Sequence, residues 1–339
     1  MRYFHLIIIS LLTILISSCG NNKKVEKEQY LPTISGKEGD VLVIIENKLW
    51  ENPIGASIRS ILSADYPYLP QDEPIFNVFS APHSTFNGTY RFHRNIFVLE
   101  ILPNVKKSTI RYLKNEWAKP QAVIAISAKS QKDALTLINT NQDKITNFFE
   151  TAERERVINI AKKYNDANLQ KIVANEFGGS PYIPMDFSLK KHVPGFIWIS
   201  YETTYVNQGI LMYKYPYSGP KDLTVESIIN KRNLILGRFV PGMRLNSFMT
   251  TSTLVNPGIR KVTYHDFNIT ETRGLWELEN DYMGGPFISH SFLSKDKKEV
   301  IVMEVFVYAP KFNKLNYLRH IESIIYSFKW NNISNNIKK

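Results

Sequence analysis

The chain has 339 residues, a formal charge of +11, a sequence pI of about 9.4 and a single cysteine. One cysteine excludes an internal disulfide and any site built from several thiolates, while the length allows one large or two ordinary domains. A basic balance of this size fits nucleic acid in a cytosolic protein, and anionic lipid or acidic polymer in an exported one.

The N-terminus points to export. Arg2, the apolar run Leu6 to Ile16 and the small residues before Cys19 have the order of a secretory signal, with a core too short to span a bilayer. Ile16-Ser17-Ser18-Cys19 resembles the bacterial lipobox. That resemblance implies a diacylglycerol on the Cys19 thiol, cleavage before it and acylation of the new N-terminus, with palmitate among the expected chains. At about 0.8 kcal/mol per buried methylene one chain holds a protein marginally, and two hold it durably. Residues 1–18 carry only Arg2 among their charges, so the mature chain keeps +10. Export turns the expectation away from nucleic acid and towards the membrane, an envelope protein or a cell-wall polymer. A Lys-, Asn- and Ile-rich composition accounts for the charge without any partner.

Residues 19–37 read as a polar tether. Gly20 rather than aspartate after the cysteine resembles the sorting pattern for the outer membrane. Asn21-Asn22-Lys23-Lys24 stands where surface-exported lipoproteins of Bacteroidetes usually carry acidic residues, so the periplasmic face is expected.

An N-terminal α/β region is expected over 38–177. Val41 to Ile45 is β-branched and apolar on both faces, as an interior strand is. Asn52-Pro53 predicts a helix start, and Ile54, Ile58, Ile61 and Leu62 give it one buried face. Strands are predicted at Ile75 to Ser80, Asn95 to Ile101 and Ala122 to Ser127. Ser130 to Asp133 has capping-box spacing and opens a helical region to about Asn175, broken near Asn139 to Asn141.

Gly178-Gly179-Ser180-Pro181 marks the boundary to a C-terminal α+β region over 178–330, followed by a polar tail at 331–339. Strands are predicted at Phe196 to Tyr201, Gln208 to Tyr217, Lys261 to Phe267, Leu275 to Tyr282, Phe287 to Leu293 and Glu299 to Tyr308. Helices are predicted from Thr224 to about Leu236 and over Leu315, Leu318, Ile321, Ile325 and Phe328. Without regular strand–helix alternation, the class is α+β, with antiparallel sheets packed against helices.

Arg273-Gly274-Leu275-Trp276-Glu277 and Met283-Gly284-Gly285-Pro286-Phe287 resemble an uncharacterised lipoprotein family of Bacteroidetes, the domain of unknown function DUF4837. Val240-Pro241-Gly242, Ser247 to Thr251, Val305 to Pro310 and the helix Tyr317 to Phe328 extend the resemblance. It implies an envelope location and no particular reaction. The strand ending in Tyr308-Ala309-Pro310 before an amphipathic helix is also similar to the photosystem-accessory αβα sandwich, the PsbP/Mog-like fold.

Candidate chemistry is sparse. The predicted strand Arg273 to Tyr282 puts Glu277, Glu279 and Asp281 on one face, where a hard cation would need a further ligand loop and a solvated sheet face needs nothing. Gly284-Gly285-Pro286 lacks phosphate-loop spacing. Trp198, Tyr201, Tyr205, Tyr213, Tyr215 and Tyr217 could stack on a ligand, or simply pack across strands. No metal site, cofactor or nucleophile elbow is expected, and no catalytic residue is assigned. The expected function is a non-enzymatic binding or structural role at the envelope, with a periplasmic hydrolase of cell-wall or glycan substrates as the alternative. The candidate surface patch is Arg273, Trp276, Glu277, Asp281, Met283, Gly284, Gly285 and Pro286.

Overall fold

The apolar run after Gly39 forms β1 (Asp40–Ile44), every residue of which is buried. The computed structural model describes residues 30–331; the expected signal at 1–18, Cys19, the expected tether up to residue 29 and the expected tail from 332 lie outside them. β1 pairs in parallel with β2 (Asn77–Ala81) on one side and β3 (Asn95–Ile101) on the other. β4 (Thr109–Lys114) and β5 (Ala122–Ala128) complete a five-stranded sheet in the order β2-β1-β3-β5-β4, antiparallel only at β4–β5. The first crossover contains α1 (Asn47–Trp50) and α2 (Pro53–Leu62); Asn52 caps α2 by accepting from Ile54 N at 2.8 Å, with Pro53 in the first turn.

α2, α3 (Gln131–Thr140) and α4 (Gln142–Lys163) cover one face of this sheet through Val41, Val43, Phe97, Ile124 and Ile126. Phe86, Leu113 and Trp117 cover the other. The predicted break near Asn141 separates α3 from α4. A second break falls at Tyr164 to Asp166, where the Asp166 side chain caps α5 (Ala167–Phe177), and Gly178 ends that helix at φ 74°.

Beyond it, β6 (Gly179–Ser180) pairs with β15 (Lys329–Trp330). β7 (Ser188–Val193), β8 (Phe196–Glu202), β9 (Asn207–Pro216), β10 (Phe248–Thr251), β11 (Gly258–Tyr264), β12 (Phe267–Glu279), β13 (Gly284–Leu293) and β14 (Glu299–Tyr308) form an eight-stranded antiparallel sheet. Its path is β10-β12-β13-β14-β9-β8-β7, with β11 paired to the first half of β12. α5 and α7 (Leu315–Tyr326) pack on one face, and α6 (Val225–Phe239) on the other, so the layers run α/β/α.

The class is α+β. The antiparallel order belongs to the eight-stranded sheet, whereas crossovers through helices and long loops make the smaller sheet mostly parallel. β12 starts at Phe267, earlier than the predicted Leu275, because Thr270, Glu271, Thr272 and Arg273 are buried polar residues that hide the apolar alternation. α7 buries Leu315, Leu318, Ile321, Ile324 and Ile325, each worth roughly 1.5–3 kcal/mol, so packing rather than propensity holds it. None of its own residues caps its start. The buried Glu73 carboxylate accepts from Lys314 N at 2.6 Å and Leu315 N at 2.9 Å, taking the place an external anion would occupy.

Candidate functional site

The β11–β12 hairpin positions the charged groups. Register sets Arg260 of β11 opposite Glu271 of β12, and Glu271 opposite His290 of β13, so the three side chains cross one face of the sheet in a row. Arg273, two residues along β12, projects from the same face. α7 adds Glu322 and Tyr326, and the loop after α2 adds Tyr66.

Glu271 is 0% exposed, and its Oε1 accepts from Arg260 Nε at 2.6 Å and Arg273 Nε at 2.5 Å. Its Oε2 accepts from Arg260 Nη2 at 3.1 Å and the Tyr326 hydroxyl at 3.3 Å. Arg273 Nη2 donates to Glu322 Oε1 at 2.6 Å, and its Nη1 donates to the Tyr66 hydroxyl. Burial pushes the Glu271 carboxyl up, but His290, Arg273 and Arg260 outweigh it and hold the group well below the usual carboxylate range. His290 Nε2 stands 3.5 Å from Glu271 Oε2, an ion-pair distance rather than a good hydrogen bond, so the arginines dominate. Burial lowers the Arg273 guanidinium; Tyr66, Glu322 and Glu271 more than reverse this and keep it charged. Burial raises the Tyr66 phenol, which stays protonated.

This network floors a cleft of about 680 Å³ between α4 and the hairpin. Asp143, Thr146, Asn147 and Glu150 recur at three and four along α4 and form the opposite wall. Tyr68 stands at the edge with φ 62°, a costly conformation for an aromatic residue, and its hydroxyl lies where a Cβ on Gly258 would be, 1.9 Å away. Half of the Arg260 side chain, 55%, is exposed to the cleft side.

Glu271, His290 and Glu322 could each offer one metal-ligating atom within 4.8 Å of the others. Both carboxylates already accept from arginines, and a dication there would face the Arg273 guanidinium, so the trio suits an ion-pair network better than a metal. Chemically the floor offers fixed donors and acceptors, and its Glu271 carboxyl is held below rather than above the usual carboxylate range.

The sequence-predicted patch is dispersed. Arg273 is at the cleft floor, whereas Trp276 is buried on the opposite face among Phe306 and Tyr308 and donates to Val307 O at 3.3 Å. Gly285 leaves the room for that contact, since a Cβ on it would lie 2.0 Å from Val307 O. Gly284 and Pro286 sit in β13, and Met283 packs under α6, so this part of the signature fixes the fold. Glu277 is half-buried near the far end of β12, Glu279 is exposed, and Asp281 lies past the strand and pairs with Arg244 at 3.4 Å. The expected carboxylate row therefore does not converge. Tyr213 and Tyr215 are core residues under α6, Trp198 and Tyr217 pack beside them, and Tyr201 packs on the other face. Cys19 lies outside the described residues.

Residues 166–327 match the family model described as domain of unknown function DUF4837. The DUF4837 stretch supplies the hairpin, Glu322 and Tyr326. Residues 35–162 match domain of unknown function DUF8532 and supply Tyr66 and the α4 wall. A crystal structure from Bacteroides thetaiotaomicron VPI-5482 is similar at 11% identity and a TM-score of 0.25, over 46% of this chain and 46% of that one. At that score the likeness carries no argument, and the chain spans less than half of that protein. No curated protein matches the chain. Among the described residues no helix is long and apolar enough to cross a membrane.

Missing from the sequence-level candidates were Tyr66, Arg260, Glu271, Glu322 and the α4 wall. The usable signal for Glu271 and Arg260 was the His265-Asp266 turn, which closes a tight hairpin and sets them opposite each other.

Proposed function

We propose that this is a lipid-anchored envelope protein of the Bacteroidetes type, held by acylated Cys19 at the outer membrane and facing the periplasm, which binds an envelope partner through the cleft without turning it over. The observation that carries the binding reading is the cleft itself: buried ion pairs of Arg273 with Glu271 and Glu322 brace its floor, and Arg260 with the polar face of α4 at Asp143, Thr146, Asn147 and Glu150 is left to meet a partner. Hydrolysis of a glycan needs a carboxyl poised to give a proton, typically one whose pKa is raised, and Glu271 is displaced in the opposite direction. The signal, the lipobox and the polar tether support the location, and an anchored cleft gains effective concentration for partners in the same compartment.

Cell fractionation tests the anchor. Cys19→Ala is expected to leave the membrane fraction or to remain unprocessed, and unchanged fractionation and mass contradict the anchor. For the cleft, the mature protein should retain material from an envelope extract and release no cleaved product from it. Product release that disappears in a folded Glu271→Gln or Glu150→Gln variant contradicts the non-catalytic reading.

A further inference from the structure

The geometry points to a neutral, hydroxyl-rich ligand for the cleft, a short oligosaccharide segment, bound between the polar face of α4 and Arg260 with Tyr68 at its edge. This deepens the binding reading above and rests on it.

Charge balance narrows the class first. Asp143, Glu150 and Glu271 face Arg260 and Arg273, so the lining is close to neutral in a chain of +11. A phosphate or carboxylate would meet Glu150 and Asp143, while Arg273 already spends its guanidinium on Glu271, Glu322 and Tyr66. A cation would meet Arg260, which burial lowers and Glu271 more than restores. A neutral ligand pays neither repulsion.

The remaining groups match hydroxyls. Asn147 and Thr146 offer donors and acceptors, the Glu150 carboxylate carries no hydrogen bond in the described residues, and Arg260 Nη1 is free of the Glu271 pair. Planar amide, carboxylate and guanidinium groups bond vicinal hydroxyls in pairs, which gives direction as well as affinity. The volume of about 680 Å³ lies in the range of small-ligand sites, and the open form admits a segment of a longer chain. Tyr68 supplies a ring at the edge. Its left-handed φ of 62° is held against Gly258, which is strain kept where a side chain must stand in one place.

The test is titration calorimetry on the full mature protein with chitotriose, cellotriose and maltotriose, beside inorganic phosphate, calcium chloride and trialanine. At least one trisaccharide should bind, and Asn147→Ala and Glu150→Gln should each weaken it by about tenfold, the loss of one hydrogen-bonding partner to a ligand. Asn147 is exposed on a helix, so its replacement by alanine keeps the fold. Tyr68→Gly should also weaken binding and remain folded, since relief of the left-handed strain offsets part of the stability lost with the ring and with a freer unfolded chain. Binding of phosphate, calcium or trialanine in place of every trisaccharide overturns the saccharide assignment, as does no trisaccharide binding at up to about 10 mM, a Kd at the weak end of recognition. Equal affinity of the variants places the site elsewhere and also overturns it. A trisaccharide that binds and is cleaved keeps the ligand class and contradicts the non-catalytic reading. Cleft-dependent retention of envelope material without trisaccharide binding does the reverse.

Discussion

Arg232 of α6 and Glu304 of β14 have no exposed side-chain surface and are joined by Nε and Nη2 bonds of 2.8–3.0 Å. The guanidinium also donates to Thr251 Oγ1 at 2.9 Å and lies over the Phe287 ring. Burial raises the Glu304 carboxyl, and Arg232 only partly reverses it. Removing one partner strands the other charge in the core, so Arg232→Met is expected to cost about 3–5 kcal/mol. The double variant Arg232→Met with Glu304→Leu is expected to recover most of that. Urea unfolding measures both, and a single variant as stable as the double contradicts the account. Glu271 behaves differently with pH. Its folded pKa is depressed, so the stability it contributes is present above the ordinary carboxylate pKa of about 4.3 and is lost as pH falls below it. Glu304, being raised, has the opposite sign, and its burial weakens the fold as pH rises through its folded value. The wild type should lose stability from about pH 5 downwards more steeply than Glu271→Gln. Parallel pH profiles of the two proteins by thermal melting contradict this.

At the scale of elements, β13 shows how a signature can be structural. Gly285 stands opposite Trp276, and the close approach of Val307 O on β14 leaves no room for a Cβ. Gly285→Ala must push the strands apart or break the Trp276–Val307 hydrogen bond, at a cost of about 2–3 kcal/mol. A melting temperature equal to the wild type contradicts that reading. The same element logic explains what was legible. The β1 run, the Asn52-Pro53 start and the α7 periodicity read correctly because apolar spacing and capping act locally. β4 and β7 are largely exposed edge strands without a clear buried face, and β10 is short, so each lacked a pattern.

For the whole molecule, polar residues inside the core hid the rest. Glu271, Arg232 and Glu304 look like surface residues in a single sequence, and only their partners on distant elements make their burial tolerable. The cleft was out of reach for the same reason, because its walls are more than 100 residues apart, at 142–150 on α4 and 258–273 on the hairpin. Arg273 was chosen as a candidate and does reach the floor; its companions Trp276, Glu277, Asp281, Met283 and the start of β13 at Gly284 to Pro286 do not. Contacts across the two matched stretches, including Glu73 to the start of α7 and Arg319 Nη2 to Ile75 O at 2.6 Å, tie them together within one compact unit from Thr33 onward. The cleft is therefore a shared product of both stretches, and ligand binding should register on both. Amide hydrogen exchange of the protein, with and without isolated cell-wall polymer, tests this most directly. Slowed exchange confined to residues 66–68, 142–150 and 258–261 is predicted, and protection at the exposed Met243, Leu245 and Tyr282 loops with an unchanged cleft would contradict the account.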